Sequence, residues 1–324
     1  MSESTTGVML GCSSHSPLIV INPVDTPDSL AIDAEVADFR KRVEAFAPDY
    51  IVMFANDHFA SFHYSNMPAY CVGVAAEAMA DIGGTPGKIP SVPTEAIALV
   101  DHLRKAGFDP AISYKMMLDH GFSQPIARLV GAIDRFPLIP IFISVFTQPL
   151  IPYGRSRQIG EAVGRYIAAS GKRVLVMAGG GLSHQVEFIY PSPENASAEI
   201  YGWQLDGDAG GGMSAHQWFG RLDEIHHEGV AMIKDGRLTA SDLRLNPEFD
   251  QDFLGRLAAG DLEGMDAWDQ NEVVAQAGIG GLEIHGWIAA RAAFAAAGGG
   301  TVAASYHAMV DYGVGYGFAR SATP

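Results

Sequence analysis

Four histidines, His15, His58, His120 and His184, share one local setting: each follows a short apolar run. Val8 to Cys12 leads to Ser13-Ser14-His15, and Tyr50 to Ala55 leads to Asn56-Asp57-His58. Ile112 to Met117 leads to Asp119-His120, and Arg173 to Met177 leads through three glycines to Leu182-Ser183-His184. Imidazole ligates transition metals and titrates near neutrality, so such residues serve metal binding or proton transfer. A single histidine after a strand is more often a loop hydrogen-bonding residue. Four in the same setting have one geometric explanation, because ligand sites in open α/β sheets collect outside the carboxyl ends of the strands. Asp57 and Asp119 each precede a histidine and offer a carboxylate that would orient the neighbouring ring from behind. Asp57 reads equally well as a cap or turn residue. The glycines at 179–181 lack the Gly-Lys-Ser/Thr ending of a phosphate loop and instead let backbone approach a ligand closely. Spacing alone selects no carboxylate ligand among 37 acidic residues. Glu283 opens an apolar helix after Gly278, Gly280 and Gly281, where on its own it complements the helix dipole.

The elements that must position these groups follow from periodicity. Val8–Cys12, Tyr50–Ala55, Ala69–Ala76, Ile112–Met117, Leu138–Val145 and Arg173–Met177 are expected strands, being continuous apolar runs of strand length. Ile32, Val36, Phe39, Val43 and Phe46 mark one face of a helix that stops before Pro48, and Ile159, Val163 and Ile167 mark another that ends at Gly171. Further helices are expected over Thr94–Ala106, Pro125–Ile133, His216–Asp235, Ser241–Leu245, Phe249–Ala259 and Leu282–Ala297. The strand–helix–strand order implies parallel pairing with helical crossovers. The expected fold is therefore a single α/β domain over residues 1–324, with a central mostly parallel or mixed sheet, flanking helices and a helical C-terminal part. The polar, Gly/Ala/Ser-rich stretch 191–212 is the candidate mobile insertion or lid, and the Gly- and Tyr-rich tail from Val310 is expected to be irregular. His226 and His227 lie on an expected helix and are read as solvent-facing.

Composition narrows the function. The chain has 324 residues, 48% hydrophobic and 18% charged, which is enough for a large buried core. A formal net charge of −16 supplies no general field for nucleic acid or an anionic membrane, so neither partner is expected. Cys12 and Cys71 sit in apolar runs and read as reduced buried thiols rather than a disulfide framework. The N-terminal segment has no basic region followed by an apolar stretch, and no apolar run is long enough for a bilayer. A cytoplasmic protein is the expectation.

Six segments, in order and spanning nearly the whole chain, carry a resemblance: SHSPL at 14–18, FANDHF at 54–59, LDHGFSQP at 118–125, GGGLSHQ at 179–185, NPEFDQDFL at 246–254 and AGIGGLEIHGW at 277–287. Together they resemble the class III extradiol dioxygenases of the protocatechuate 4,5-dioxygenase β-subunit superfamily. The branch they are most similar to is that of the 3-(2,3-dihydroxyphenyl)propionate 1,2-dioxygenases. The resemblance implies an Fe(II) cofactor held by His15, His58 and Glu283, with His120 and His184 as the acid–base pair. It implies a catechol and O2 as substrates, the catechol bearing a short carboxylated side chain at its 3-position, and a homo-oligomer. Two imidazoles and one carboxylate are the facial set of non-haem Fe(II) oxygenases and leave positions open for the diol and oxygen. Of this pair, His184 is assigned as the base for the second hydroxyl and His120 as the acid during ring expansion, with the two roles exchangeable at the level of the sequence. After LSHQ the chain has Val186 and Glu187 where the family tends to have prolines, a departure that bears on the substrate rather than the metal. Two other classes use the same residues: a Zn-dependent hydrolase, and a non-catalytic binding protein on the same scaffold. Metal analysis separates the first, and the presence of both His120 and His184 speaks against the second.

Overall fold

In the computed structural model, which describes residues 7–322, the continuous apolar runs form the centre of one large sheet. The order begins with β1 (Gly7–Ser13), α1 (Leu18–Ile21), α2 (Pro27–Phe46) and β2 (Tyr50–Ala55). Then come β3 (Tyr70–Gly73), β4 (Ala76–Ala78), β5 (Gly87–Ile89), α3 (Pro93–Lys105), β6 (Ala111–Ser113) and β7 (Met116–Leu118). These lead to α4 (His120–Val130), β8 (Leu138–Ile143), α5 (Tyr153–Ser170) and β9 (Arg173–Gly179). The C-terminal part runs through α6 (Ala198–Asp206), α7 (Ala215–Lys234), α8 (Pro247–Ala259), α9 (Gln270–Ala277) and α10 (Ile284–Ala296) to β10 (Val302–Met309) and β11 (Val314–Ser321). The eight-stranded sheet has the order β10-β11-β1-β9-β2-β8-β3-β6, and a three-stranded sheet has the order β5-β4-β7. β1, β9, β2 and β8 are mutually parallel, whereas β11 and β3 pair antiparallel on either side of them. The sheet is thus mixed with a parallel centre, and the protein is the expected α/β domain.

The centre is covered on both faces, which is why its strands read as unbroken apolar runs. Leu10, Val52, Phe54, Val174 and Val176 face α3, α5, α8 and α10. The alternate residues Met9, Ile51, Met53, Leu175 and Met177 face α2 and α4. α2 starts at a capping box in which Thr26 and Ser29 exchange side chain–backbone bonds, a device worth about 1 kcal/mol. Its buried face is the expected one, Ile32, Val36, Phe39 and Val43. α10 is buried from Ile284 to Phe294 and lies against α5. Close approach requires glycine there: a Cβ at Gly160 or Gly164 would stand 2.1 or 2.3 Å from the carbonyl oxygens of Ala289 and Ala293.

Several expected elements take another form. Ala69–Ala76 is not one strand. It leaves the large sheet after Gly73, where a Cβ would meet Pro140 at 2.6 Å, and re-forms as β4 in the small sheet. Ile112–Met117 divides in the same way into β6 and β7. The tail is not irregular: β10 and β11 form an antiparallel pair, and β11 continues the pairing onto β1. Its glycines answer crowding, since a Cβ at Gly315 or Gly317 would meet Asp250 or Leu182 at 2.1 or 2.7 Å. Ser241–Leu245 forms turns rather than a helix, with Arg244 at a φ of 54°. Residues 191–212 fold as α6 and a short 3-10 turn. Trp203 is buried there, and its indole N–H donates to the Phe59 carbonyl at 2.8 Å. No helix among the described residues is long and apolar enough to cross a membrane.

Candidate active site

Because β1, β9 and β2 are adjacent and parallel, their carboxyl ends bring His15, His184 and His58 to one edge of the sheet. His120 is the first residue of α4, and Glu283 immediately precedes α10. The expected helix at Pro125 therefore begins a turn and a half earlier, capped by Asp119, whose carboxylate accepts the Gly121 N–H at 3.0 Å. All five side chains are buried, between 1% and 8% exposed, so they meet out of bulk water.

The Glu283 carboxylate is the meeting point. One oxygen lies 3.5 Å from His15 Nε2, and the other lies 3.4 Å from His58 Nε2 and 3.9 Å from His184 Nε2. Gly181 N–H donates to Glu283 Oε2 at 2.6 Å, and the Asn56 amide reaches His58 Nε2 at 3.2 Å and Glu283 Oε1 at 3.4 Å. His120 stacks on His58 with ring centroids 4.4 Å apart, and one nitrogen each from His15, His58 and His120 lie within 4.8 Å of one another. Glycines make the room: a Cβ at Gly181 or Gly280 would stand 2.2 or 2.1 Å from the His184 ring. The glycine runs that the sequence offers for close ligand approach thus flank a catalytic candidate.

Three of the four imidazoles are oriented from behind, whereas the buried His15 Nδ1 has no partner among the described residues. His58 Nδ1 donates to Asp119 at 2.7 Å, His120 Nδ1 to Asp81 at 2.6 Å, and His184 Nδ1 to the Leu182 carbonyl at 2.8 Å. These partners only accept, so each Nδ1 carries the hydrogen and each Nε2 faces the cluster. Two expected pairings are corrected. Asp57 does not orient His58; its carboxylate accepts the backbone N–H groups of Ala60, Ser61 and Phe62, the turn-residue reading. Asp119 orients His58 rather than its sequence neighbour His120, which is served by Asp81, a residue the sequence reading did not single out. Tyr190, also not singled out, lines the same cavity, with its hydroxyl buried and without a protein partner among the described residues. His226 is not solvent-facing: it is buried on α7 and lines the cavity as well.

The electrostatics favour a cation. Burial drives the His15 pKa down to about 3 against the pull of Glu283, so its ring is neutral, the form that ligates metals. Burial would raise Glu283, but His15, His58 and His184 outweigh it and hold the carboxyl at about 2. Burial would lower His58, yet the flanking Asp119 and Glu283 lift it well above its usual value. Two buried carboxylates around one imidazole thus draw a positive charge into the site, and a metal ion supplies it as well as a proton does. The spacing also suits a metal. Neighbouring ligand atoms about 2.1 Å from an ion lie about 3 Å from one another, close to the separations of 3.4 and 3.5 Å found between Glu283 and the two imidazoles. The residues fit a small divalent ion.

Comparison with known proteins points the same way. Residues 9–319 match the family described as the catalytic LigB subunit of aromatic ring-opening dioxygenase. The 2,3-dihydroxyphenylpropionate/2,3-dihydroxicinnamic acid 1,2-dioxygenase of Klebsiella pneumoniae (strain 342) is 38% identical over 294 residues, 89% of this chain and 90% of that protein. Its counterpart in Escherichia coli (strain K12) is 37% identical over 292 residues, with the same coverage. Among solved structures, the uncharacterized protein JW3007 from Escherichia coli K12 aligns over 96% of this chain and 98% of its own, with 14% identity and a TM-score of 0.48.

Proposed function

The chain belongs to the LigB family and is an extradiol ring-cleaving dioxygenase; from that premise we propose that it opens 3-substituted catechols with ferrous iron held by His15, His58 and Glu283. The observation that carries this reading is the approach of one buried carboxylate to the Nε2 atoms of two imidazoles from β1 and β2, 3.4 and 3.5 Å away. Ferrous iron, when bound, supplies adjacent open positions for the diol and dioxygen and acidifies the hydroxyl it contacts.

The protein's own groups handle the remaining protons and the orientation. His184, with its Nδ1 hydrogen committed to the Leu182 carbonyl, offers the Nε2 lone pair as base for the second hydroxyl. His120, with Asp81 accepting from its Nδ1, acts as the acid once its Nε2 has also taken up a proton, and then passes that proton to the oxygen that needs it. The stacking of His120 on His58 places that nitrogen beside the ligands without a bond to Glu283. Burial of the whole cluster excludes bulk water from the proton transfers.

Anaerobic loading with ferrous iron, followed by air and a 3-substituted catechol, should yield a yellow ring-opened acid carrying both atoms of labelled dioxygen. His184→Ala and His120→Ala should keep the iron and lose turnover, whereas His15→Ala should lose the iron. Full iron retention in His15→Ala would overturn the ligand assignment.

A further inference from the structure

We propose that the cavity in front of this site selects catechols whose ring substituent is uncharged and apolar, unlike the carboxylated side chain in the relatives' names; this rests on the ring-cleavage reading above. Beyond the histidine cluster the cavity wall is built from Val186 and Phe188, from Ile225 and Ile233 of α7, and from Leu238 and Leu243 in the following turns. Among the described residues no lysine or arginine lines it, and residues 1–6 and 323–324 contain none. Arg221, on the same helix, is committed behind the wall. Its guanidinium donates to the carbonyls of Ile189 and Phe188 at 2.8 and 3.1 Å and lies over the Trp218 ring.

Beside Ser16, Gln185, Tyr190 and Tyr312, none of which carries a positive charge, the wall holds His226, and its geometry disfavours an anion. Its Nδ1 stands 2.6 Å from the Leu222 carbonyl, which only accepts, so Nδ1 carries the hydrogen and Nε2 is left to the cavity. Burial pushes this imidazole down to about 4, which keeps Nε2 a lone pair. A carboxylate entering here would leave water for a largely hydrocarbon wall in which the Tyr190 hydroxyl is an uncharged donor, His226 Nε2 is an acceptor and no cation compensates. The net charge of −16 adds repulsion at long range. An alkyl or aryl substituent instead buries its surface against Ile225, Ile233, Leu238 and Leu243.

The test compares 3-propylcatechol with 3-(2,3-dihydroxyphenyl)propionate, which share ring and chain and differ in the terminal carboxylate. The iron-loaded enzyme is assayed for kcat/KM in air and for affinity under anaerobic conditions. The expected result is a preference for the propyl compound of about tenfold or more in both measurements. Ile233→Arg, at a half-buried position that tolerates a long side chain, should shift that ratio toward the propionate by about tenfold. Equal or better use of the propionate by the wild type overturns the inference while leaving the ring-cleavage reading intact, and so does an unchanged ratio in a folded Ile233→Arg protein. The wild-type comparison decides the matter even where the variant does not fold. Turnover of neither compound overturns the ring-cleavage reading and the inference with it.

Discussion

Asp119 and Asp81 decide how the imidazoles of His58 and His120 stand, and they do so for different ends. Asp119 lies behind a ring assigned to the metal and Asp81 behind one assigned to proton delivery. Asp119→Asn should therefore weaken ferrous ion binding about 10- to 100-fold, measured by anaerobic metal titration. Asp81→Asn should leave that affinity within about threefold and lower kcat about 10- to 100-fold, with an altered pH–rate profile as the sign that His120 titrates differently. The four histidines were legible because each ends an apolar run. Asp81 was not: it lies 39 residues before His120, in a Gly/Pro-rich loop with no periodicity to mark it. Sequence neighbours misled for the same reason, since Asp57 and Asp119 are adjacent to His58 and His120 along the chain while the turn and the helix cap send their carboxylates elsewhere.

At the scale of elements, Glu283 is only as well placed as the helix behind it. α10 is buried on every side from Ile284 to Phe294 and touches α5 where Gly160 and Gly164 leave no room for a methyl group. Gly160→Ala should push the two helices apart, lowering stability by about 1–3 kcal/mol in urea denaturation and weakening metal binding through the displaced carboxylate. Gly220→Ala on α7, where nothing lies within 4 Å, is the control and should be stabilising by up to about 1 kcal/mol. Long periodic elements such as α2, and doubly covered strands such as β2, could be read directly because burial imposes their pattern. The short strands β3, β4, β6 and β7 could not, since one apolar run serves two sheets and only tertiary contacts decide where it breaks. The tail was misread because Gly315 and Gly317 signal irregularity locally, while their cause is close packing from Asp250 and Leu182.

The whole molecule answers to pH through its buried titrating groups. His226 is held at about 4 in the fold and returns to about 6.5 when the chain unfolds. Between those values the unfolded chain binds the proton that the fold refuses, so its contribution is complete above pH 6.5 and is lost as pH falls to 4. Burial raises Asp250 to about 6, so between its usual 3.8 and that value the fold holds a proton the unfolded chain has released, and stability from this group grows as pH falls. His226→Leu should flatten the loss of stability between pH 6.5 and 4 by roughly 3 kcal/mol at most, and Asp250→Asn should steepen it. Urea titrations of the metal-free proteins across that range check both signs.

β1 lies between β9 and β11, and the turn bearing His15 is closed by Ser14 N–H donating to the Gly317 carbonyl, Ser14 Oγ to the Gly315 carbonyl, and the contact of Ser13 Oγ with the Tyr316 hydroxyl. On the ribosome the turn bearing His15 is thus made long before the clasp that steadies it, which is translated some three hundred codons later, after Glu283. Until then a chain emerging from the exit tunnel has no finished cradle for a metal ion, and on the proposed reading metal loading becomes an event that follows the synthesis of β11.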